Sequence, residues 1–144
     1  MNTYFQLLTL HEVRAVPTKT GYPYYFDAYG HAYIWWKGML RPATLHIPKN
    51  KQTLKHNKGG GYLQLRSWAG KSLGPYSRGC MYVHRGVAYA FPEICGTPDL
   101  FRNQVDHING DRFDNRASNL RWVTASENVK AHYALKKQNN NQQN

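Results

Sequence analysis

The residues best suited to chemistry lie in one stretch, 105–132, which reads VDHINGDRFDNRASNLRWVTASENVKAH. Asp106, His107 and Asn128 offer a carboxylate, an imidazole and an amide oxygen. This set would make a poor closed zinc site, but oxygen ligands suit magnesium, calcium or manganese and leave positions open for water and phosphate. An imidazole titrates near neutrality, so His107 can take a proton from an attacking water. Asn119 can hydrogen-bond one imidazole nitrogen and leave the other free as a base.

Two extended segments and one helix must position these side chains. Thr124 and Glu127 form a T-x-x-E capping box, which predicts a helix start with Asn128 in the first turn. Residues 104–107 and 119–123 have the length and composition of two short strands. The predicted order is therefore strand, turn-rich loop, strand, helix.

Each of these residues also has an ordinary interpretation. An Asp-His pair is often a surface turn with a hydrogen-bonded histidine, and Asn109-Gly110 is a common tight-turn dipeptide. Asn115 is better explained as a residue that stabilises the loop than as a metal ligand. His132 lies one helical turn after Asn128, where it either reaches the same site or is simply exposed.

Taken together, the spacing resembles that of the HNH endonucleases, above all the phage and intron-encoded homing type, whose signature runs D-H-x-N-G, D-N-R, N-L-R, T and E-N. The resemblance implies a ββα-metal (His-Me) fold that holds one divalent ion, Mg²⁺ or Mn²⁺, between Asp106 and Asn128. It further implies His107 as general base, Asn119 as the residue that orients it, and hydrolysis of DNA phosphodiesters. The matching residues are Asp106, His107, Asn109, Gly110, Asp114, Asn115, Arg116, Asn119, Leu120, Arg121, Thr124, Glu127 and Asn128.

The charge of the chain favours a polyanionic partner. Its 144 residues contain 19 Lys and Arg against 8 Asp and Glu, a net charge of +11. The excess lies in residues 1–92, which hold 12 Lys and Arg but only Glu12 and Asp27 as acids. Residues 93–144 are nearly neutral, with seven basic and six acidic residues. Such a division is typical of a phosphate-binding part joined to a metal-binding part.

The basic part is predicted to be rich in strands. Tyr22 to Trp36 alternates as a strand-loop-strand unit, and 26–30 faintly resembles the turn of a small Y-x-V-S-N-x-G-x-V module that often precedes such nucleases. Residues 37–61 carry six lysines and arginines among Pro, Asn and a triple Gly, so we expect a mobile basic loop there. Residues 62–66 read as one strand of a hairpin, and 78–89 as its partner.

That hairpin has the size to enter a major groove. Gln64 and Arg66 would then reach base edges, and Lys71 and Arg78 the phosphates.

A second resemblance covers residues 82–91, YVHRGVAYAF, because related nucleases carry a V-H-R-L-V-A-x-x-F stretch before the D-H motif. His84 and Arg85 match it and are candidates for DNA contacts, with a structural ion pair as the alternative for Arg85. Gly86 departs from the usual Leu, which removes an apolar contact and weakens a helix. Arg116 and Arg121, inside the site itself, complete the predicted DNA-binding residues.

Other classes of protein fit less well. No apolar run approaches the roughly 20 residues of a membrane span, and the beginning of the chain lacks the features of a secretory signal. Cys80 and Cys95 lack zinc-ribbon spacing and are expected to be free thiols. We therefore expect a cytoplasmic protein, in the host cell if a phage encodes it.

The sequence thus predicts an α+β protein with a ββα-metal nuclease motif near its C-terminal end, preceded by a small basic antiparallel β-rich DNA-binding portion. The predicted divisions are 1–79 for DNA binding, 80–137 for the nuclease domain and 138–144 for a disordered tail. We expect a monomer that acts on double-stranded DNA, without a membrane or small-molecule partner. The alternatives are a DNA-binding module that keeps the fold without catalysis, and an RNA-binding or ribosome-associated protein.

Overall fold

The computed structural model describes residues 12–18, 22–47, 61–65 and 81–142. Within them the chain contains both helices and antiparallel strands, as the α+β prediction requires. No helix in this part of the chain combines the length and the apolar run needed to cross a membrane.

The first sheet has four antiparallel strands in chain order, β1 (Val13–Val16), β2 (Tyr24–Asp27), β3 (Ala32–Trp36) and β4 (Met39–Pro42). The expected strand-loop-strand unit of residues 22–36 is confirmed as β2 and β3, joined by a turn at residues 28–31. In β2, Tyr24 and Phe26 are both buried, consistent with the alternation of a strand that covers a core on one face.

The prediction of a mobile loop over residues 37–61 is wrong for its first third, because β4 and β5 (Leu45–His46) lie there. Lys37 and Gly38 both have positive φ angles, 48° and 79°. A two-residue hairpin turn with positive φ at both positions matches the twist of the strands it joins. Lysine is an unusual residue in that conformation, so the turn has little signal in the sequence. Residues 48–60 lie outside the described part of the chain.

A second, smaller sheet joins β5 to β6 (Gln64–Leu65) and β7 (Met81–Tyr82) in that order. The predicted pairing of residues 62–66 with 78–89 is confirmed only at 81–82. From there the chain forms helix α1 (Val83–Ala90) and the short helix α2 (Pro92–Cys95). The strand predicted beyond residue 82 is therefore wrong.

Helix α1 forms despite Gly86 because that position faces the first sheet. A Cβ atom at Gly86 would lie 2.0 Å from Cζ of Phe26, whose side chain is fully buried on β2. The ring occupies the space that a larger helix residue would fill. The departure from leucine at this position thus accompanies a close contact between helix and sheet.

The C-terminal part follows the predicted order. β8 (Gln104–His107) pairs with β9 (Leu120–Val123), a 3-10 turn (Ala117–Asn119) precedes β9, and helix α3 (Ala125–Asn141) follows it. Helix α3 includes residues 138–141, four residues of the tail that was expected to be disordered. The tail lacks Pro, Gly and β-branched residues, so an established helix can extend through it.

One hydrophobic core contains residues from both predicted divisions, 1–79 and 80–137. Phe26 of the first sheet, Val87 of α1 and Leu120 of β9 belong to the same buried cluster. The basic N-terminal strands and the β8–β9–α3 unit therefore pack as neighbours on α1.

Candidate functional site

Asp106 lies in the middle of the site, on β8 directly opposite Arg121 of β9. The carboxylate is nearly buried, and Nε and Nη2 of Arg121 donate to its Oδ2 over 2.9 and 2.8 Å. Oδ1 accepts no hydrogen bond from the described residues. Arg121, predicted to contact DNA, thus forms an ion pair with the acid, while about half of its side chain stays exposed.

Asn128 is fixed by the start of α3. The capping box is confirmed, with Oγ1 of Thr124 accepting from the Glu127 backbone N–H and the Glu127 carboxylate accepting from the Thr124 N–H. The Asn128 amide then donates from Nδ2 to Oε1 of Gln104 over 2.7 Å. Gln104 and Asp106 are two residues apart on β8 and share one face of the strand, about 6.6 Å apart. The bond to Gln104 therefore places the Asn128 amide on the side of β8 that carries Asp106.

This donor set fits a hard cation. Oδ1 of Asp106 and Oδ1 of Asn128 are both left without a hydrogen bond from the described residues, and both are oxygen ligands of the kind that Mg²⁺ and Mn²⁺ take. The described part of the chain holds no group of three His, Cys, Asp or Glu residues placed to bind a metal. These two oxygens could serve as ligands of a divalent ion at this position.

His107 follows Asp106 but points to the other face of β8. Its ring is nearly buried, and Nε2 lies 3.0 Å from Oδ1 of Asn115. The ring centroids of Tyr62 and His84 lie 5.9 and 5.2 Å from that of His107. Neighbours thus hold the imidazole in one orientation before any substrate binds.

Asn119 does not hydrogen-bond the imidazole, and that expectation is wrong. Its Oδ1 accepts from the Asn109 backbone N–H over 3.1 Å, and its Nδ2 donates to Oδ1 of Asn109 and to the Asp114 carbonyl, each over 2.9 Å. Asn119 therefore closes the loop between the two strands. The contact with the ring belongs to Asn115, a residue expected only to stabilise the loop.

The same loop contains a tight ion pair. Arg116 donates from Nε and Nη2 to the two carboxylate oxygens of Asp114 over 2.8 and 2.6 Å. These bonds lower the pKa of the Asp114 carboxyl to about 2. The Arg116 side chain remains more than half exposed, so it can still face a phosphate.

His84 lies inside the core, not on the surface where a DNA contact was expected. Burial is the largest cause that lowers its pKa, to about 3, followed by the nearby His107 and Arg85. The ring is therefore neutral at physiological pH. Its Nδ1 is buried and has no hydrogen-bond partner within the described residues.

Arg85 is partly exposed and is held by neutral groups. Its Nη1 donates to the Asn103 carbonyl over 3.0 Å, and its guanidinium carbon lies 5.2 Å from the ring centroid of Trp122. These contacts differ from the structural ion pair considered as an alternative. Arg66, Lys71 and Arg78, the remaining predicted DNA contacts, lie outside the described residues.

No sequence pattern indicates Tyr62 or Asn115 as neighbours of His107. Tyr62 is 45 residues away, and Asn115 is one of several Asn and Asp residues in the same loop. Cys95 is a buried free cysteine as predicted, and burial raises the pKa of its thiol to about 11. Cys80 is not among the described residues.

Comparison of the sequence with known proteins finds similarity to HNH endonucleases. The family model described as HNH endonuclease matches residues 102–130. An uncharacterized HNH endonuclease of Acanthamoeba polyphaga mimivirus is 53% identical over 47 residues, which make up 33% of this chain and 11% of that protein.

A solved structure is similar over most of the chain. It describes DNA binding and cleavage by the HNH homing endonuclease I-HmuI, with a TM-score of 0.56 and 28% identity over 85% of this chain. The present chain spans 58% of that structure and a smaller share of the mimivirus protein. The resemblance to the HNH endonucleases, including the homing type, is confirmed by these similarities.

Proposed function

We propose that this protein is a metal-dependent HNH endonuclease of the homing or phage-encoded type that hydrolyses phosphodiester bonds in double-stranded DNA. The observation that carries the proposal is the arrangement at β8. There Asp106 shares a strand face with Gln104, the hydrogen-bond partner of Asn128, while His107 is held on the opposite face. The match of the HNH endonuclease family model to residues 102–130 supports it, as does the similarity to the mimivirus HNH endonuclease.

Asp106 and Asn128 would hold one divalent ion, Mg²⁺ or Mn²⁺, through their Oδ1 atoms. When bound, such an ion acts as a Lewis acid on the scissile phosphate. Arg121 competes with the ion for Asp106, because its guanidinium bonds the second carboxylate oxygen. We expect the Arg121 guanidinium to interact less with Asp106 and more with the DNA when the ion is present.

His107 would act as the general base that takes the proton of the attacking water. Such assistance contributes roughly a hundred- to ten-thousand-fold in rate. Asn119 contributes indirectly, because its three hydrogen bonds fix the loop over the site. Its role is to position the loop.

The DNA is expected to lie along the basic part of the chain. We retain Arg66, Lys71 and Arg78 as proposed contacts, together with Arg116 and Arg121, whose side chains are about half exposed. The net charge of +11 supports a phosphate partner. We likewise retain the division into a DNA-binding portion, 1–79, and a nuclease domain, 80–137, with a monomer in the cytoplasm as the working form.

One observation favours a second candidate, a DNA-binding module without catalysis. The Asp106 carboxylate is paired with Arg121, and His107 is only 5% exposed. If neither group becomes available when DNA and metal bind, the fold would recognise DNA without cutting it. The two candidates differ in metal-dependent cleavage and agree in duplex binding.

A cleavage assay separates them. Supercoiled plasmid and duplex fragments from the genomic neighbourhood of the gene would be incubated with the protein and Mg²⁺ or Mn²⁺, with EDTA as the metal-free control. The proposal predicts metal-dependent nicking or linearisation that is lost in Asn128→Ala and retained in Asn140→Ala, an exposed asparagine on the same helix. Duplex binding without cleavage of any fragment would favour the binding module.

A further inference from the structure

Asn115 fixes which nitrogen of His107 carries the proton. An amide oxygen accepts hydrogen bonds and cannot donate them, so the contact between Oδ1 of Asn115 and Nε2 of His107 requires a hydrogen on Nε2. In a neutral imidazole the lone pair is then on Nδ1. Nδ1 forms no hydrogen bond with the described residues, so it is the nitrogen left to accept a proton.

Asn115 itself is seated against the first sheet. Its residue is only 4% exposed, and the backbone around it approaches the turn between β2 and β3. A Cβ atom at Gly30 would lie 2.7 Å from the carbonyl carbon of Asn115 and 2.8 Å from its oxygen, closer than real Cβ contacts allow. Two residues later, the Ala117 N–H donates to the Ala28 carbonyl over 2.8 Å. The loop of the site therefore rests directly on this turn.

A buried carboxylate holds the turn in shape. Asp27 is 0% exposed, and its Oδ1 accepts from the backbone N–H groups of Tyr29 and His31, each over 3.0 Å. Its Oδ2 lies 2.8 Å from both Nδ1 of His31 and the hydroxyl of Tyr33. Gly30 lies inside this network with φ of 92°, which a residue with a side chain rarely adopts. These hydrogen bonds fix the conformation of the turn against which the loop packs.

We propose that Asn115 is the positioning residue of His107 and that the turn at residues 27–31 of the first sheet is the seat that holds Asn115 in place. The N-terminal sheet is then part of the nuclease site as well as of the fold. The proposal rests on the proposed function for its effect on cleavage. Its structural part, the proton position on His107, can be measured without any activity.

The direct test is the tautomer of His107, read from ¹⁵N chemical shifts of the imidazole nitrogens in long-range ¹H–¹⁵N spectra. In the wild-type protein we expect the hydrogen on Nε2. In Asn115→Leu the acceptor is removed, and we expect the signals to move toward a mixture of the two tautomers. A hydrogen on Nδ1 in the wild type, or an unchanged tautomer in Asn115→Leu, would overturn the proposal.

Kinetics test the effect on cleavage. On a duplex that the wild type cuts, Asn115→Leu should lower kcat by about 10- to 100-fold, as expected when a partner that orients a functional side chain is lost. KM for the duplex should stay the same, because Asn115 is buried. Asn115→Asp keeps an acceptor oxygen and should recover most of kcat. Equal losses in the two variants, or a change confined to KM, would contradict a positioning role.

The seat is tested by a matched pair of glycines in the same sheet. Gly30→Ala and Gly38→Ala both force a residue with a side chain into a positive-φ turn, but a Cβ at Gly38 meets no atom within 4 Å. Gly30→Ala should therefore alter the His107 tautomer and lower kcat, whereas Gly38→Ala should change neither. The same behaviour in both variants would show that the turn does not seat Asn115.

These measurements separate the two proposals. If the wild type cleaves no DNA but carries the hydrogen on Nε2 and loses it in Asn115→Leu, the proposed function fails and the positioning by Asn115 stands. If the wild type cleaves DNA and Asn115→Leu keeps both its tautomer and its kcat, the positioning fails and the function stands.

Discussion

Replacing Gly86 by alanine tests how closely α1 packs on the first sheet. Carbon atoms in contact prefer separations of about 3.5–4.0 Å, whereas a Cβ here would lie 2.0 Å from Cζ of Phe26 and 2.5 Å from its two Cε atoms. Because the ring is fully buried on β2, it cannot move aside into solvent. Either the ring or the helix must shift by more than 1 Å.

Two opposing effects decide whether Gly86→Ala raises or lowers the free energy of unfolding. Overpacking a well-packed core costs about 1–3 kcal/mol, while Gly→Ala in a helix gains up to about 1 kcal/mol. We therefore expect Gly86→Ala to lower the free energy of unfolding by about 1–2 kcal/mol in the wild-type background. In a Phe26→Leu background the Cε and Cζ atoms are gone, so the same substitution should instead raise it by up to about 1 kcal/mol.

The assay is urea unfolding of the wild type, Gly86→Ala, Phe26→Leu and the double variant. The free energies of unfolding can be compared if the four proteins have the same m-value. A sign reversal between the two backgrounds is the predicted result, since residues in contact couple by about 0.5–3 kcal/mol. If Gly86→Ala stabilises the wild type, the helix does not rest on Phe26 as described. The contact between α1 and the first sheet would then need another explanation.

Three further predictions concern the helix start, a buried histidine and a buried thiol. Thr124→Ala removes the capping box with Glu127 and should lower the free energy of unfolding by about 0.5–2 kcal/mol in urea titrations; an unchanged midpoint would contradict the cap. The folded-state pKa of His84, about 3, lies below its unfolded value of 6.5. Neutral His84 therefore contributes fully to the free energy of unfolding above pH 6.5, and this contribution is lost as the pH falls from 6.5 toward 3. When the pH is lowered from 7.5 to 5, the free energy of unfolding of the wild type should fall by about 2 kcal/mol more than that of His84→Phe. Parallel curves of unfolding free energy against pH would refute this. In a Cys80→Ser background Cys95 should react with a thiol reagent at pH 8 only after unfolding, because burial raises its pKa to about 11; rapid labelling of the native protein would disagree.

The C-terminal unit was predictable because its signals are local. Thr124 and Glu127 satisfy each other three residues apart, so the start of α3 follows from the chain alone. The strands 104–107 and 120–123 appear where apolar residues border a loop of turn-forming residues. Fixed offsets then placed Asp106 and Asn128 on neighbouring elements.

Helix α1 was missed because packing overrides local preference. The sequence VHRGVAYA alternates partly like a strand, and Gly86 argues against a helix on propensity. The helix packs at Gly86 against the ring of Phe26, about 60 residues earlier. A contact that distant leaves no periodic signal in the segment itself.

The partner of His107 was missed for a different reason. Asn115 and Asn119 have the same side chain and lie in the same loop, so composition cannot distinguish them. The path of the loop decides, and that path depends on Gly30 and Ala28 in the first sheet. The sequence identified the loop that supplies the partner of His107, but assigned the contact to the wrong asparagine.

The central claim is that His107 performs the proton transfer in a metal-dependent cut of DNA. Its most direct test is the single-turnover cleavage rate of His107→Ala on a duplex that the wild type cuts, measured beside its affinity for the same duplex. We predict a loss of roughly a hundred- to ten-thousand-fold in rate, with affinity unchanged, because the ring is nearly buried on the face of β8 opposite Asp106. Cleavage by His107→Ala at the wild-type rate would contradict the claim.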